Sequence, residues 1–167
     1  MTSWPTSRMP STPPDVRRGG PADAGALADV FWRGVHESAA PRYDAAQRAA
    51  WLQERPGAAA FAARLDGQRV WVAERDGAAR GFATLWPDGY LDFLYVLAEA
   101  RGDGTAAALL AAVEAHARTA GLARLTARAS DMARPLLLRR GWTVVGDAAQ
   151  RRDGVTIPAT DMARRLL

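Results

Sequence analysis

The chain has 167 residues, of which 49% are hydrophobic and 24% charged, a composition that fits one globular domain and excludes overall disorder. Cysteine is absent and only two histidines are present, which excludes disulfides and thiolate nucleophiles and leads us to expect no metal site. The net charge of +4 comes from 22 arginines scattered among 18 acidic residues, without the basic stripe of a nucleic-acid-binding protein, so we expect no nucleic acid partner.

Residues 1–14 differ in composition from the rest of the chain. They contain four prolines and several Ser and Thr residues, a pattern that predicts a disordered N-terminal tail. No apolar run approaches the roughly 20 residues that cross a bilayer, and no signal peptide or lipidation motif is visible. We therefore expect a cytoplasmic protein without a membrane partner, whose single domain spans residues 15–167.

The spacing of apolar residues in this domain predicts a mixed α/β fold. Its first half predicts a strand at 15–18, helices from 22 and over 44–54, further helical turns at 58–65, and an antiparallel meander of strands at 69–74, 79–86 and 90–96. Its second half predicts a long helix over 103–120, a strand at 124–129, a helix over 131–140, and strands at 142–146 and 155–163. The predicted order is β-α-α-β-β-β-α-β-α-β-β.

A glycine-containing loop separates the strand at 90–96 from the long helix. It reads Arg101-Gly102-Asp103-Gly104-Thr105-Ala106. A loop of this kind at a helix start presents free backbone amides and the positive end of the helix dipole, and so favours an anion. A phosphate-binding P-loop is excluded because the chain has no lysine, and the dinucleotide motif is excluded by the glycine spacing. An ordinary strand–helix turn is the alternative.

The loop resembles a known family motif. Arg101-x-x-Gly104-x-Ala106 is similar to the (Gln/Arg)-x-x-Gly-x-(Gly/Ala) motif of the GCN5-related N-acetyltransferase (GNAT) superfamily, and the flanking elements resemble that family over residues 15–165. The segments 35–51 and 89–96 resemble a bacterial branch whose substrates are mostly unassigned. The resemblance implies the GNAT fold and acetyl-CoA as co-substrate. It also implies direct acetyl transfer to a primary amine in a ternary complex, without a metal.

The resemblance also implies where acetyl-CoA binds. The loop residues Arg101 to Ala106 would hold the pyrophosphate, and the backbone of Leu94, Tyr95 and Val96 would lie at the thioester. Two residues depart from the family pattern. Asp103 would repel the pyrophosphate, and Leu137 stands where many relatives carry the tyrosine that protonates the departing thiolate. Either Tyr95 or water replaces this tyrosine, or coenzyme A leaves as the thiolate.

Asp92 is the candidate for the base that accepts the amine proton, because relatives often hold an acidic base on this strand. Regular strand alternation predicts Tyr90, Asp92, Leu94 and Val96 on one face and Leu91, Phe93 and Tyr95 on the other. The alternative for Asp92 is a structural carboxylate that binds a neighbouring strand or an arginine.

Four further residues are candidates for binding the acceptor, which is expected to be a small-molecule amine or a peptide amine. They are His36, Tyr43, Gln47 and Tyr90, and His36 is also a candidate proton acceptor with a structural hydrogen-bonding role as its alternative. Trp51 either joins this pocket or packs in the core. A homodimer is compatible with the family. The alternative function is a weakly active or inactive GNAT-fold module that binds acyl-CoA as a sensor or partner-binding domain.

Overall fold

A computed structural model describes residues 12–167 of the chain. Within this range the elements are β1 (Asp15–Arg18), α1 (Ala24–Arg33), α2 (Ala45–Trp51), α3 (Ala58–Leu65), β2 (Arg69–Arg75), β3 (Ala78–Leu85), β4 (Tyr90–Val96), α4 (Thr105–Thr119), β5 (Arg124–Ala129), α5 (Arg134–Arg139), β6 (Thr143–Asp147), β7 (Gln150–Arg152), β8 (Val155–Ile157) and β9 (Thr160–Arg165). Residues 1–11 of the predicted tail lie outside the described residues. No helix between residues 12 and 167 is long and apolar enough to cross a membrane.

Seven of the strands form one mixed sheet in the order β1-β2-β3-β4-β5-β9-β6. β2, β3 and β4 pair antiparallel as the predicted meander, and β4 and β5 form the parallel pair of this sheet. The structure therefore confirms the predicted mixed α/β fold class.

The two faces of the sheet bury separate apolar clusters. On one face α4 and α5 pack against the sheet through Leu109, Leu110 and Leu137. On the other face α1 and α3 pack through Leu27 and Phe61, among other residues. The apolar positions of α1 recur at helical spacing, so one side of this helix is buried while its other side faces water.

The prediction of one strand over 155–163 is wrong. Pro158 has no backbone N–H to donate to a strand ladder, and neither it nor Ala159 belongs to a strand. β8 ends at Ile157 and pairs with β7 in a two-stranded hairpin, whereas β9 begins at Thr160 and enters the main sheet between β5 and β6. The hairpin packs against α2, where Arg152 donates to the carbonyl of Trp51.

A buried ionic cluster joins α4 to the C-terminal part of the sheet. Glu114 is only 1% exposed and accepts hydrogen bonds from Arg140 at 2.9 Å, from the indole N–H of Trp142 at 3.3 Å, and from Arg164. Burial acts to raise the pKa of Glu114, but these donors and the two positive charges outweigh it, so the pKa lies below its ordinary value. The carboxylate is therefore charged and satisfied inside the protein.

Candidate active site

A β-bulge in β4 decides which way the side chains around Asp92 point. Thr84 pairs with Phe93 and Leu85 pairs with Leu91, which leaves Asp92 as an extra residue in β4. Leu91 consequently packs on the α4 face and Phe93 on the α1/α3 face. The predicted regular alternation, with Leu91 and Phe93 on one face, is therefore wrong at this point.

The bulge turns Asp92 toward α3. Its Oδ2 atom lies 2.8 Å from a guanidinium nitrogen of Arg64 and accepts a hydrogen bond from the Gln68 amide at 2.8 Å. The same guanidinium group lies over the ring of Phe93, 5.0 Å from its centroid. Oδ1 of Asp92 has no hydrogen-bond partner among residues 12–167.

β4 and β5 separate immediately beyond the bulge. Their ladder consists of the pairs Tyr90–Thr126 and Leu91–Ala127. Just beyond the end of β4, the backbone amide of Leu97 donates to the backbone carbonyl of Arg80 in the neighbouring strand β3 at 2.9 Å. Because backbone groups alternate direction along an antiparallel ladder, those of Leu94 and Val96 face the opening between β4 and β5.

A cavity of about 310 Å³ runs from this opening to the loop before α4. We call it the loop cleft. Its walls include Leu94, Tyr95, Val96, Arg101, Gly102, Gly104, Thr105, Ala106, Ala107, Ser130, Leu136 and Arg139. Eight of the nine residues predicted to bind the co-substrate thus line one continuous surface, and the ninth, Asp103, does not.

The loop presents unpaired amides to the loop cleft. Gly102 and Gly104 have φ angles of +78° and +89°, in the left-handed region that favours glycine. Their amides and those of Ala106 and Ala107 have no hydrogen-bond partner among the described residues. These groups lie at the N-terminus of α4, where the helix dipole also favours negative charge, so the loop is chemically suited to a phosphate group.

Asp103 is turned away from the loop cleft. Its Oδ1 atom accepts hydrogen bonds from the amide of Thr105 at 2.9 Å and from the Thr105 hydroxyl, while Oδ2 lies 3.8 Å from Arg75. The carboxylate of Asp103 therefore does not line the loop cleft but lies behind Thr105, which does. Asp103 thus fixes Thr105, the first residue of α4, one position after the N-cap residue Gly104.

A second cavity, of about 550 Å³, lies beside the same opening on the α1/α3 face. We call it the aromatic cavity. Its walls include Phe31, Tyr43, Trp51, Phe61, Arg64, Tyr90, Asp92, Phe93, Tyr95, Arg128, Ser130, Gln150, Arg152 and Pro158. Trp51, Tyr95 and Ser130 line both cavities, so the loop cleft and the aromatic cavity meet at these three side chains.

The three tyrosines that line the aromatic cavity hold their protons at neutral pH. Burial raises the pKa of Tyr95 well above its ordinary value, and burial also raises the pKa of Tyr43 and of Tyr90. The hydroxyl of Tyr43 donates to the Pro158 carbonyl at 2.7 Å and accepts from the amide of Asp131 at 2.8 Å. Tyr43 therefore ties the segment after β8 to the end of β5.

The structure does not bring His36 or Gln47 into either cavity. Nε2 of His36 lies 2.8 Å from the Leu52 carbonyl oxygen, and its ring packs 3.9 Å from that of Trp32. Gln47 caps α2 through a reciprocal pair of hydrogen bonds with Asp44 and donates to the carbonyl of Thr156 at 3.2 Å. Both side chains position α2 and the hairpin and do not line a binding surface.

Leu137, which stands where many relatives carry a tyrosine, does not line the loop cleft. Leu137 is 1% exposed and packs in the cluster on the α4 face, whereas its neighbour Leu136 lines the loop cleft. A hydroxyl at position 137 would therefore lie in the core of this protein and not in the loop cleft.

Sequence reasoning missed six polar residues of the two cavities: Ser38, Arg64, Arg128, Ser130, Gln150 and Arg152. The Arg151-Arg152 pair is visible in the sequence, but only the hairpin shows which of the two arginines faces the aromatic cavity. Among residues 12–167, no three His, Asp or Glu side chains lie close enough together to hold a metal ion.

A mixed sheet that opens at its parallel strand pair, with a glycine loop at the helix start beside the opening, is the architecture of the acyl-CoA N-acyltransferase fold. The chain belongs to the GNAT acetyltransferase family, since the model of the acetyltransferase (GNAT) domain matches residues 39–166. This assignment confirms the resemblance noted in the sequence.

Solved structures of related proteins agree with this assignment. A GCN5-related N-acetyltransferase from Rhodopseudomonas palustris is 32% identical, with a TM-score of 0.85 over 96% of this chain and 100% of that chain. A ribosomal-protein-alanine N-acetyltransferase from Brucella melitensis is 27% identical, with a TM-score of 0.64 over 91% of this chain and 99% of that chain. A phosphinothricin acetyltransferase from Sinorhizobium meliloti, solved with acetyl-CoA, has the same fold at 20% identity. Its TM-score is 0.74 over 93% of this chain and 89% of that chain. No functionally curated protein has significant sequence similarity to this chain.

Proposed function

We propose that this protein is an N-acetyltransferase that moves the acetyl group of acetyl-CoA to a primary amine by direct attack in a ternary complex. The observation that carries the proposal is the junction of the two cavities at Trp51, Tyr95 and Ser130, beside the opened edge of β4. One cavity suits a phosphorylated co-substrate and the other an acceptor, and both reach the same point. The absence of cysteine agrees with direct transfer.

The loop cleft supplies the contacts that acetyl-CoA needs. The four unpaired amides at Gly102, Gly104, Ala106 and Ala107 would hold the pyrophosphate, and Arg101 and Arg139 on the cleft walls add positive charge. Acetyl-CoA, when bound, supplies the acetyl group as a thioester. The backbone N–H groups of Leu94 and Val96 face the opening and can donate to the oxygen on which negative charge develops.

Asp92 is the proposed acceptor of the amine proton. Arg64 and Gln68 both bind its Oδ2 atom, which fixes the carboxylate while Oδ1 stays available on the wall of the aromatic cavity. An amine at the junction could pass its proton to Oδ1 directly or through one water molecule. His36 suits this role less well, because its Nε2 atom already contacts the Leu52 carbonyl.

Tyr95 is the proposed donor of the proton to the departing thiolate. It lines both cavities, and burial raises the pKa of its hydroxyl, so the proton is present at neutral pH. This assignment supplies the function that Leu137 cannot provide. The backbone of Leu94 and Val96 therefore serves the thioester oxygen and the side chain of Tyr95 serves the leaving thiolate, while Tyr43 and Tyr90 contribute to the acceptor side.

The aromatic cavity favours an enzyme over an inactive acyl-CoA-binding module. A module that only senses acyl-CoA needs the loop cleft but has no use for a second, larger cavity that shares Trp51, Tyr95 and Ser130 with this cleft.

The test is an acceptor screen with the full chain. Acetyl-CoA is mixed with a panel of amines, free coenzyme A is measured with a thiol reagent, and the acetylated product is identified by mass spectrometry. Because the protein has no cysteine, it contributes no thiol background. We expect amine-dependent release of coenzyme A. Heat stabilisation by acetyl-CoA without any amine-dependent release would overturn the proposal and favour the sensing module.

A further inference from the structure

The aromatic cavity carries an excess of positive charge. Three arginines, Arg64, Arg128 and Arg152, lie on its walls, and Asp92 is the one carboxylate that the described residues place among them. This carboxylate is already paired with Arg64 at 2.8 Å. Asp92 therefore does not neutralise the other two guanidinium groups, those of Arg128 and Arg152.

Arg152 is held by neutral acceptors only. One of its nitrogens donates to the Trp51 carbonyl at 3.1 Å and another to the Gln150 side-chain oxygen at 3.2 Å. No carboxylate lies within 4.0 Å of it among residues 12–167. These bonds orient the planar group without neutralising its charge, which prepares it for a ligand anion.

Arg128 is paired only loosely. Its nearest carboxylate, that of Asp161, lies 3.7 Å away, and the two side chains are 43% and 48% exposed. An ion pair of this length and exposure contributes little, so a ligand anion can compete for the guanidinium group.

The remainder of the aromatic cavity suits an apolar group. Phe31, Phe61 and Phe93 form a mutually packed set on the α1/α3 face, with ring centroids 5.1 to 5.7 Å apart. A ligand that fills this cavity therefore meets aromatic rings on one side and two arginines on the β5 and hairpin sides, while its amine reaches Tyr95 and Ser130.

We propose that the acceptor is a small amine that also carries a carboxylate on an apolar body, an amino-acid-like molecule whose carboxylate binds Arg128 and Arg152. This inference rests on the proposed N-acetyltransferase function and narrows its substrate class. The same two charges repel polycationic amines, so the cavity selects against polyamines and aminoglycosides.

Matched pairs of amines test the inference. L-phenylalanine is compared with phenethylamine, L-leucine with isopentylamine, and spermidine serves as the polycation. We expect kcat/KM for each carboxylate-bearing member to exceed that of its partner by about 10- to 100-fold, the range of a charged hydrogen-bonded contact. Spermidine should be the poorest acceptor.

Three variants locate the effect. Arg152→Gln and Arg128→Gln should each raise KM for the two amino acids and reduce the preference over the decarboxylated partners by about tenfold or more. Arg151→Gln is the matched control, because Arg151 lies on the same hairpin, is exposed and does not line the cavity. It should leave the preference unchanged, and thermal melts of all three variants would show whether the hairpin is still folded.

The outcomes separate the two proposals. Equal or lower kcat/KM for the amino acids, or a preference that survives both Arg152→Gln and Arg128→Gln, overturns the inference and leaves acetyl transfer intact. Failure of every amine to release coenzyme A, while acetyl-CoA still stabilises the protein against heat, overturns the proposed function and the inference with it.

Discussion

Asp92 shows how one residue can be assigned a chemical role or a structural one by experiment. Asp92→Asn keeps the shape of the side chain but removes the proton acceptor, so we expect turnover at neutral pH to fall by about 10²–10⁴-fold with little change in acetyl-CoA affinity. Steady-state kinetics and calorimetry would measure the two effects.

Arg64→Gln is the control for Asp92→Asn. It breaks the same ion pair but keeps the carboxylate, so a purely structural Asp92 would make the two variants equally impaired. Full activity of Asp92→Asn would mean that water or another group accepts the proton.

Leu136 and Leu137 are adjacent residues with opposite surroundings. Leu137→Tyr would place a larger side chain with a hydroxyl in the packed core, and we expect it to lower the free energy of unfolding by about 1–3 kcal/mol. Leu136→Tyr points into the loop cleft and should be tolerated. Thermal and urea unfolding of the two variants would check this difference, which equal stabilities would contradict.

The sequence alone predicts the structural setting of some of these residues but not of others. The loop from Arg101 to Ala106 could be recognised because its glycines and the helix start are local features of the chain. The direction of Asp92 could not be predicted, because the bulge arises from the register between β3 and β4. The role of Arg152 depends on the hairpin folding back over α2, a contact between distant parts of the chain.

The start of α4 is the element on which binding of acetyl-CoA should depend most. Gly104→Ala would force a left-handed φ on a residue with a side chain, and we expect a loss of about 1 kcal/mol in stability. The added methyl group meets no protein atom within 4 Å, so it would occupy space beside the unpaired amides. Heat stabilisation by acetyl-CoA should therefore be strongly reduced, as thermal shift would show.

Gly121→Ala provides the matched control at the other end of α4. Gly121 has a φ of +75°, and a methyl group there also meets no atom within 4 Å, but the residue lies outside the loop cleft. It should lower the melting temperature of the free protein in a similar way and keep the full stabilisation by acetyl-CoA. An identical acetyl-CoA response in both variants would place the phosphate site elsewhere.

At the level of elements, local turns were predictable and long-range pairing was not. The meander of β2, β3 and β4 followed from short glycine-containing turns between β-rich segments. The C-terminal segment was predicted as one strand because residues 155–163 have β-forming residues on both sides of Pro158. The segment divides because β8 pairs with β7 whereas β9 pairs with β5 and β6. The sequence pattern does not show which strands pair with each other.

For the whole molecule, Glu114 links α4 to Arg140 and Arg164 and should make stability depend on pH. Its pKa is lowered in the folded protein, so it stabilises the fold at neutral pH, and this contribution is lost as the pH falls from the ordinary value of 4.5 through the lower folded value. Glu114→Gln should lower the free energy of unfolding by about 3 kcal/mol at neutral pH. The difference in the free energy of unfolding between Glu114→Gln and the natural protein should become smaller at acidic pH.

Urea unfolding at neutral and acidic pH would measure this effect. Glu37→Gln is the control, because Glu37 is 51% exposed and pairs with Arg33 at the surface, so its loss should cost less than about 1 kcal/mol. A difference between Glu114→Gln and the natural protein that stays constant with pH would mean that packing, and not charge, accounts for the stabilisation.

The hairpin of β7 and β8 has a consequence for how this protein can change over evolutionary time. The hairpin connects to the main sheet at Asp147 and Thr160, which pair with each other. On the hairpin side of this pair, the amide of Ala148 donates to the carbonyl of Ala159 at 3.0 Å. Insertions, deletions or exchanges within the hairpin should therefore alter the wall of the aromatic cavity while the register of β6 and β9 is kept. Under the proposed function, descendants of this chain could acquire new acceptors by mutation in this one short segment, because none of its residues lines the loop cleft.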